Sequence, residues 1–439
     1  MPAEETIDQE RMTALTAAVR SSISQRVALA GDAVEPDRIR ELIDESVADA
    51  AEAGMGITDS ERKILSRRLD AEFLGFGPIQ PLMDDPTISE IMVNGGGFDD
   101  EGHMLPHQVW IERGGLLSRV EGEFFDDDEH VVRIMNRIVS RQGRHMDQAN
   151  PIEDATLVDG SRFSGTIYPI DPDGSSFNIR KFQQSRLGYQ DLIRLGTLTP
   201  GQMSFLAAAV MARCAILISG GTGSGKTTFL NMLAAWVPQE ERIVTIEDTC
   251  ELLVKQVHPN VTRLEARKAN SEGVGKITMD DLLHNTLRRR PDRIIVGECR
   301  GPEAYTMLEA MNTGHDGSLT TIHANDTVAA LTRLTTLVKQ GDDGLSEETI
   351  KQKIADALDL VVQIERMSDG SRRVVQIMAV GGYSDGTIQH DPIWEFERMG
   401  TDDDGRVLGR HIGCGVQPAA IKKKIEEAGI EYDLDWIEE

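Results

Sequence analysis

A glycine-rich stretch near the middle of the chain limits its possible folds more than any other feature. Residues 220–227 fit the template Gly, four residues, Gly, Lys, then Ser or Thr. The apolar run 215–218 before it is typical of a short buried strand, and residues 228–236 after it are typical of a helix. A strand, a glycine loop and a helix in this order predict a phosphate-binding loop.

The residue types of this loop suit ATP and Mg²⁺ as ligands. Glycines let backbone N–H groups turn towards phosphate oxygens, and the helix N-terminus adds partial positive charge. Lys226 is expected to reach the β- and γ-phosphates, and Thr227 to bind Mg²⁺ through its hydroxyl. The alternative is a glycine-rich turn with a chance lysine. The predicted nucleotide-binding residues are Gly220, Gly221, Thr222, Gly223, Ser224, Gly225, Lys226, Thr227 and Thr228.

Composition narrows the classes of partner. The chain has 439 residues, with 46 basic and 73 acidic side chains and a net charge of −27. This balance disfavours direct binding of nucleic acid over a large surface. The four cysteines have no paired spacing, which argues against a disulfide framework or a zinc site. No apolar run approaches the roughly 20 residues of a membrane-spanning helix, so we expect a soluble cytoplasmic protein.

The pattern of apolar residues predicts several regions within an α/β fold. Apolar residues recur at helical spacing near the N-terminus, and short strands with one helix, predicted at 131–141, follow. From residue 200 to about 367, strands and helices alternate, which indicates a mostly parallel sheet with helices on its faces. The tail from residue 372 is predicted to hold a strand pair and a last helix. The predicted regions are a helical N-terminal region (1–73), a small α+β domain (74–186), a linker (187–200), a P-loop domain (201–367) and a C-terminal extension of that domain (368–439).

Carboxylates follow two apolar strands downstream of the loop. The strand in 242–248 ends at Glu247 and Asp248, and the strand in 292–298 ends at Glu298. Ligands of open parallel sheets bind at the carboxyl ends of the strands, so these acids should lie near the phosphate loop. One acid can order the Mg²⁺ shell, and the other can orient or deprotonate the attacking water. Alternatively, the acids cap the helices that follow.

Two histidines, His315 and His323, flank a Thr-rich strand within residues 314–325. A neutral imidazole can donate a hydrogen bond to a γ-phosphate and respond to its loss. On pattern alone, hydrogen-bonded core histidines are an equal alternative. A metal pair is disfavoured because no third ligand has suitable spacing.

Residues 220–227, 245–249, 293–300 and 313–325, in this order, resemble the Walker A, Asp box, Walker B and His box motifs of the secretion ATPases. This superfamily serves type II secretion, type IV secretion and type IV pili. Further similarity is present upstream, in residues 77–82, 91–95 and 159–162, and downstream, in residues 369–374. The combination looks most like the CpaF branch, which powers assembly of tight-adherence (Flp-type) pili.

The resemblance implies a Mg²⁺-dependent ATPase with a RecA-like domain, acting as a homohexameric ring. It further implies a cytoplasmic location at the inner face of the cytoplasmic membrane, beside inner-membrane platform proteins of the pilus machine. By the same resemblance, ATP would lie between the two domains and neighbouring subunits. The implied roles are catalytic base for Glu247, Walker B acid and Mg²⁺ ligand for Glu298, γ-phosphate sensors for His315 and His323, and γ-phosphate arginines from the N-terminal domain for Arg162 and Arg180.

Two other function classes stay open. A nucleic-acid-transfer motor of a type IV secretion system is disfavoured by the acidic balance and by the lack of a basic, aromatic-rich stretch. A non-catalytic nucleotide switch is disfavoured by Glu247 and Glu298, because a protein that only binds ATP does not need a water-activating carboxylate.

Overall fold

The computed structural model describes residues 9–30, 35–122, 124–140, 143–182, 187–267, 269 and 274–431. The chain divides into two compact units, Met1–Gln183 and Gln184–Glu439. Among the helices of the described ranges, none has both the length and the apolar character that crossing a bilayer requires.

Three packed helices open the first unit. They are α1 (Gln9–Ala30), α2 (Pro36–Glu52) and α3 (Asp59–Leu74). A capping box starts α3: the Thr58 hydroxyl accepts from the Glu61 N–H, and the Glu61 carboxylate accepts from the Thr58 N–H. The apolar side chains of the three helices form a common core, which confirms the helical N-terminal region. Its buried residues are Met12, Leu15, Val19, Ile23, Ile43, Val47, Ala50, Leu65 and Leu69.

An antiparallel sheet with one packed helix forms the rest of the first unit. The sheet order is β3-β2-β1-β6-β5-β4. The predicted helix at 131–141 begins earlier, because the Asp127 carboxylate accepts the His130 N–H at 2.6 Å and so caps the first turn. Its predicted end at Arg141 lies outside the described residues. The elements are α4 (Gln80–Asp84), β1 (Ile88–Asn94), β2 (Gln108–Arg113), β3 (Leu116–Val120), α5 (Asp128–Ser140), β4 (Ile152–Thr156), β5 (Arg162–Thr166) and β6 (Ser176–Arg180).

A buried polar contact joins α3 to α5, the helix that packs on the sheet of the first unit. Oε1 of Glu72, near the end of α3, lies 3.0 Å from Nε2 of His130 in α5. Both residues are buried, at 8% and 3% exposure. The Phe125 ring packs edge-on against the His130 imidazole. The end of α3 and the start of α5 are therefore held together by a hydrogen-bonded, desolvated pair.

The second unit is built on a nine-stranded sheet with the order β15-β14-β13-β12-β7-β11-β10-β8-β9. The six strands from β12 to β9 are parallel, and β13 to β15 are added antiparallel at one edge. This sheet confirms the predicted α/β fold. Its strands are β7 (Ile216–Gly220), β8 (Ile243–Glu247), β9 (Val261–Glu265), β10 (Arg293–Val296), β11 (Leu319–Ile322), β12 (Leu360–Arg366), β13 (Arg372–Ser384), β14 (Thr387–Thr401) and β15 (Val407–Gly413).

Helices cover both faces of this sheet, and each face has its own apolar core. The first face carries α6 (Tyr189–Arg194), α7 (Pro200–Met211), α8 (Lys226–Ala234) and α13 (Ala419–Glu427). The second face carries α9 (Met279–Thr286), α10 (Glu303–Asn312), α11 (Thr327–Gly341) and α12 (Glu347–Ala357). The central strands are therefore buried on both sides, which explains why they read as continuous apolar runs.

Two regions differ from the sequence-based expectation. Residues 187–200 were expected to form a linker, but they contain α6, and Leu192 and Leu198 are 5% and 2% exposed in the core of the second unit. Burial of these apolar side chains holds the segment in place. The strand pair expected after residue 372 is an antiparallel set of three strands that continues the main sheet.

Candidate functional site

The loop after β7 has the backbone geometry of a phosphate cradle. Gly223 and Gly225 have φ angles of 70° and 98°, a region that residues with a Cβ rarely adopt. A Cβ on Gly220 would overlap the carbonyl oxygen of Ile364 in β12, so glycine is required there by close approach. Helix α8 begins directly after Gly225, and the first N–H groups of a helix have no partner within it, so they are available to an anion in the loop.

Lys226 is folded into the loop that it follows. Its ammonium donates hydrogen bonds to the carbonyl oxygens of Gly220 and Gly221, each at 3.0 Å. The residue is only 8% exposed, and burial lowers the pKa of this ammonium, while the charge of Glu298 opposes the shift. The His323 ring lies beside it, with Nδ1 at 3.3 Å and Nε2 at 3.4 Å from Nζ.

Glu298 connects this lysine and histidine to an arginine. Its Oε1 lies 2.9 Å from Nε2 of His323, and its Oε2 accepts a hydrogen bond of 2.7 Å from Arg300. Burial lowers the pKa of the His323 imidazole; Glu298 opposes this shift, and Lys226 and Arg300 add to it. The hydrogen bond that Arg300 donates to Glu298 raises the pKa of the Arg300 guanidinium. Four side chains thus form a continuous polar cluster at the carboxyl ends of β10 and β11.

Glu247 lies at the end of β8, the strand next to β10, and is only 3% exposed. Its Oε2 accepts two backbone hydrogen bonds of 2.7 Å, from the N–H groups of Glu251 and Leu252. Its Oε1 lies 3.3 Å from the Thr245 hydroxyl. Burial raises the pKa of this carboxyl, although the two backbone N–H groups oppose the shift. A fixed carboxylate with a raised pKa is suited to accepting a proton.

The residues present fit a bound nucleotide and its metal. Within the described ranges, the buried hydroxyls of Ser219 and Ser224 have no hydrogen-bond partner in the protein. Oε1 of Glu298 is also buried, and its approach to His323 lacks hydrogen-bond geometry. The loop therefore offers hydroxyl and N–H donors to phosphate oxygens, and the oxygens of Thr227 and Glu298 are of the type that Mg²⁺ prefers.

His315 does not lie at this site within the chain. It precedes the N-terminal end of β11, whereas the phosphate loop follows the C-terminal end of β7, which runs parallel to β11. Its Nδ1 lies 3.3 Å from the Ala310 carbonyl at the end of α10. A Cβ on nearby Gly317 would overlap the Arg293 guanidinium, which belongs to the start of β10. Of the two histidines, the structure brings His323 to the phosphate loop of its own chain and not His315, and a role of either towards a γ-phosphate stays a prediction.

Arg162 and Arg180 lie directly opposite each other on β5 and β6 of the first unit. Glu90 of β1 is opposite Arg180 on its other side, so the three side chains share one face of the sheet. Arg180 is exposed, and Arg162 is half-buried. The strands thus bring the two arginines together, while their role towards a γ-phosphate stays a prediction.

Arg300 is a site residue that sequence reasoning did not select. It belongs to the stretch 293–300, two positions after Glu298, and its only sequence signal was that closeness to a functional acid. The hydrogen bond from the Arg300 guanidinium to Glu298 depends on the path of the chain beyond β10. The Arg300 N–H helps to fix that path by donating to the Glu303 carboxylate at 2.7 Å.

Comparisons with known proteins identify the family of this chain. A model of the type II/IV secretion system protein family matches residues 73–414. The chain is 34% identical over 319 residues to conjugal transfer protein TrbB of Rhizobium radiobacter, covering 72% of this chain and 90% of that protein. It is 31% identical over 336 residues to type IV secretion system protein VirB11 of Bartonella quintana, covering 68% and 90%. The crystal structure of the VirB11 ATPase of Brucella suis, in complex with sulphate, is 29% identical over 68% of this chain and 91% of that one, with a TM-score of 0.36. The chain belongs to the type II/IV secretion system protein family.

Proposed function

We propose that this protein is an ATPase that couples ATP hydrolysis to the work of a secretion or pilus-assembly machine. The observation that carries the proposal is the contact sequence Lys226, His323, Glu298 and Arg300 beside a glycine loop. A protein that only binds phosphate needs the loop and the lysine. Hydrolysis also requires groups that activate water and stabilise charge, and the polar cluster and the fixed carboxylate of Glu247 supply such groups.

Each side chain has a proposed role at the nucleotide. Lys226 would exchange its loop carbonyls for the terminal phosphates and hold their charge. Mg²⁺, held by Thr227 and Glu298, would neutralise phosphate charge when bound. Glu247 would accept the proton of the attacking water. His323, kept neutral by its lowered pKa, would donate a hydrogen bond towards the γ-phosphate.

Assembly and location follow as further parts of the proposal. The subunits would form a homohexamer, with Arg162 and Arg180 supplying positive charge to the γ-phosphate. The ring would act at the inner face of the cytoplasmic membrane on platform proteins of the machine. Tight-adherence pilus assembly by a CpaF-type motor is our first candidate, on the similarity of residues 369–374 and of the four motifs.

A nucleic-acid-transfer motor is the second candidate, because TrbB, a relative at 34% identity, is named a conjugal transfer protein. The net charge of −27 opposes direct contact with DNA. ATP turnover that rises with added single-stranded DNA and falls steeply with salt would favour this second candidate. Turnover that is indifferent to DNA would favour the pilus motor.

The test of the central proposal is steady-state ATP hydrolysis by the purified protein, measured together with its mass in solution. We expect turnover that increases as a hexamer forms, and a loss of at least about 100-fold in Lys226→Ala with the fold retained. Equal turnover in Lys226→Ala, or full turnover by a monomer, would contradict the proposal.

A further inference from the structure

The turn between β12 and β13 lies against the phosphate loop. Strand β12 pairs in parallel with β7, and Ile364 is opposite Gly220, the last residue of β7. Strand β12 continues for two residues beyond that pair, to Arg366. The hairpin therefore extends alongside the loop at the point where β7 ends.

Two arginines of this hairpin flank the two left-handed glycines of the loop. A Cβ built on Gly223 would have the Arg366 guanidinium as its neighbour, with Nη1 at 3.9 Å. A Cβ built on Gly225 would have the aliphatic part of Arg372 as its neighbour, with Cγ at 3.8 Å. Both arginine side chains are exposed. The guanidinium of Arg366 and the stem of Arg372 thus lie at the rim of the cradle.

The same two arginines are directly opposite each other across the antiparallel pair of β12 and β13. Like charges at such positions repel and destabilise a hairpin, whereas the next pair along, Glu365 and Arg373, has opposite charges. An anion beside Arg366 and Arg372 would weaken this repulsion, because it attracts both guanidinium groups.

The turn itself is firmly held, which suits a preorganised contact. The Asp369 carboxylate accepts from the Ser371 N–H at 2.9 Å, the Ser371 hydroxyl at 2.6 Å and the Val407 N–H of β15 at 2.8 Å. These hydrogen bonds lower the pKa of Asp369 to about 2. Gly370 has a φ angle of 80° within the turn. The arginines therefore project from a fixed frame, which reduces the entropy lost when they bind a ligand.

We propose that Arg366 and Arg372 bind the α- and β-phosphates of the nucleotide held by the loop of their own chain. The glycine backbone of such loops surrounds these two phosphates, which ATP and ADP share. The inference rests on the proposed ATPase function and adds two affinity-determining residues to it. Both residues would stabilise bound nucleotide equally before and during hydrolysis, so they act on KM more than on kcat.

Titration calorimetry with ADP and Mg²⁺ on the full chain tests this role. We expect Arg366→Ala and Arg372→Ala each to raise the Kd for ADP about tenfold or more, and to raise the Kd for ATP by a similar factor. Arg366→Lys should recover part of the loss because it keeps the charge. Arg410→Ala is the matched control: it removes the same charge from an exposed site on β15, where Arg410 pairs with Glu397 at 3.0 Å.

Two readouts separate this role from a structural one. Arg366→Ala should leave the thermal stability of the nucleotide-free protein equal or higher, because its repulsion with Arg372 is lost. Arg372 also donates a hydrogen bond of 2.8 Å to the Gly370 carbonyl, so the stability readout is confined to the Arg366 variant. Unchanged ADP affinity in both variants, with binding by the unsubstituted chain intact, would overturn the inference. Failure of the unsubstituted chain to bind ADP would instead overturn the proposed ATPase function.

Discussion

Oε1 of Glu298 lies 2.9 Å from Nε2 of His323, and the two residues follow neighbouring parallel strands of one sheet. This pairing places an acid and an imidazole beside the ammonium of Lys226. Glu298 is the one acid among the four side chains of the cluster, and it lies between the neutral imidazole of His323 and the guanidinium of Arg300. The arrangement gives different expectations for residues that look equivalent in the sequence.

The two histidines of residues 313–325 should behave differently. His323→Ala removes a side chain beside Lys226 and Glu298, and we expect a loss of turnover of about 100-fold. His315→Ala should leave turnover nearly unchanged, because His315 lies at the opposite end of β11. Steady-state ATP hydrolysis of both variants is the measurement. A comparable loss in both would mean that His315 reaches a nucleotide through a neighbouring subunit.

Glu247→Gln tests the proposed base. We expect a fall in turnover of about 10²- to 10⁴-fold, since the amide cannot accept a proton. Burial disfavours the charged form of Glu247 and raises its pKa. At neutral pH the unfolded chain carries this carboxyl ionised, so the raised pKa of the folded state lowers the free energy of unfolding. The glutamine keeps an oxygen for the N–H groups of Glu251 and Leu252. The melting temperature at about pH 7 should therefore not decrease.

The pH dependence of turnover gives a second check on Glu247. Because its pKa is raised, protonation should stop catalysis at a higher pH than an ordinary glutamate would allow. The acid limb of kcat against pH should accordingly lie above the ordinary range of glutamate. An acid limb within that ordinary range would argue that another group takes the proton.

Adjacent glycines of the loop provide a matched pair of substitutions. Gly220→Ala places a Cβ on the backbone oxygen of Ile364, so we expect lost nucleotide binding and lower stability. Gly221→Ala adds the same methyl group where no atom lies within 4 Å, and it should fold normally. Thermal unfolding with and without ADP distinguishes the two. Equal tolerance of both changes would contradict the close packing of β12 on the loop.

Arg180 and Arg119 offer a matched test in the first unit. Both are exposed arginines on strands of the same sheet, but only Arg180 lies opposite Arg162. If Arg180 serves the γ-phosphate, Arg180→Ala should reduce turnover by about 10³-fold or more. Its unfolding free energy should change by no more than about 0.5 kcal/mol, as for other surface substitutions. Arg119→Ala should change neither quantity, and a loss there would indicate a nonspecific charge effect.

The features that sequence predicted well are local. The phosphate loop, its strand and its helix are fixed by residues within about one βα unit, so pattern was sufficient for them. Placing His315 requires the direction of β11 relative to β7. A parallel sheet implies that direction, but a sequence motif does not record it. Arg366 could not be placed at all, because its position depends on pairing between strands that are far apart in the sequence. Residues 187–200 resembled a linker because they contain few apolar side chains. Leu192 and Leu198 are buried only through contacts with the rest of the second unit, which the local sequence does not show.

The contact between Glu72 and His130 has a consequence for where this protein can be shortened. Composition suggests a boundary at residue 73, as if the N-terminal helices were a removable module. A chain that began after Leu74 would lack the carboxylate that faces Nε2 of His130, and loss of such a buried contact costs about 1–3 kcal/mol. A shortened version of the first unit should therefore keep α3, so that the partner of His130 is retained.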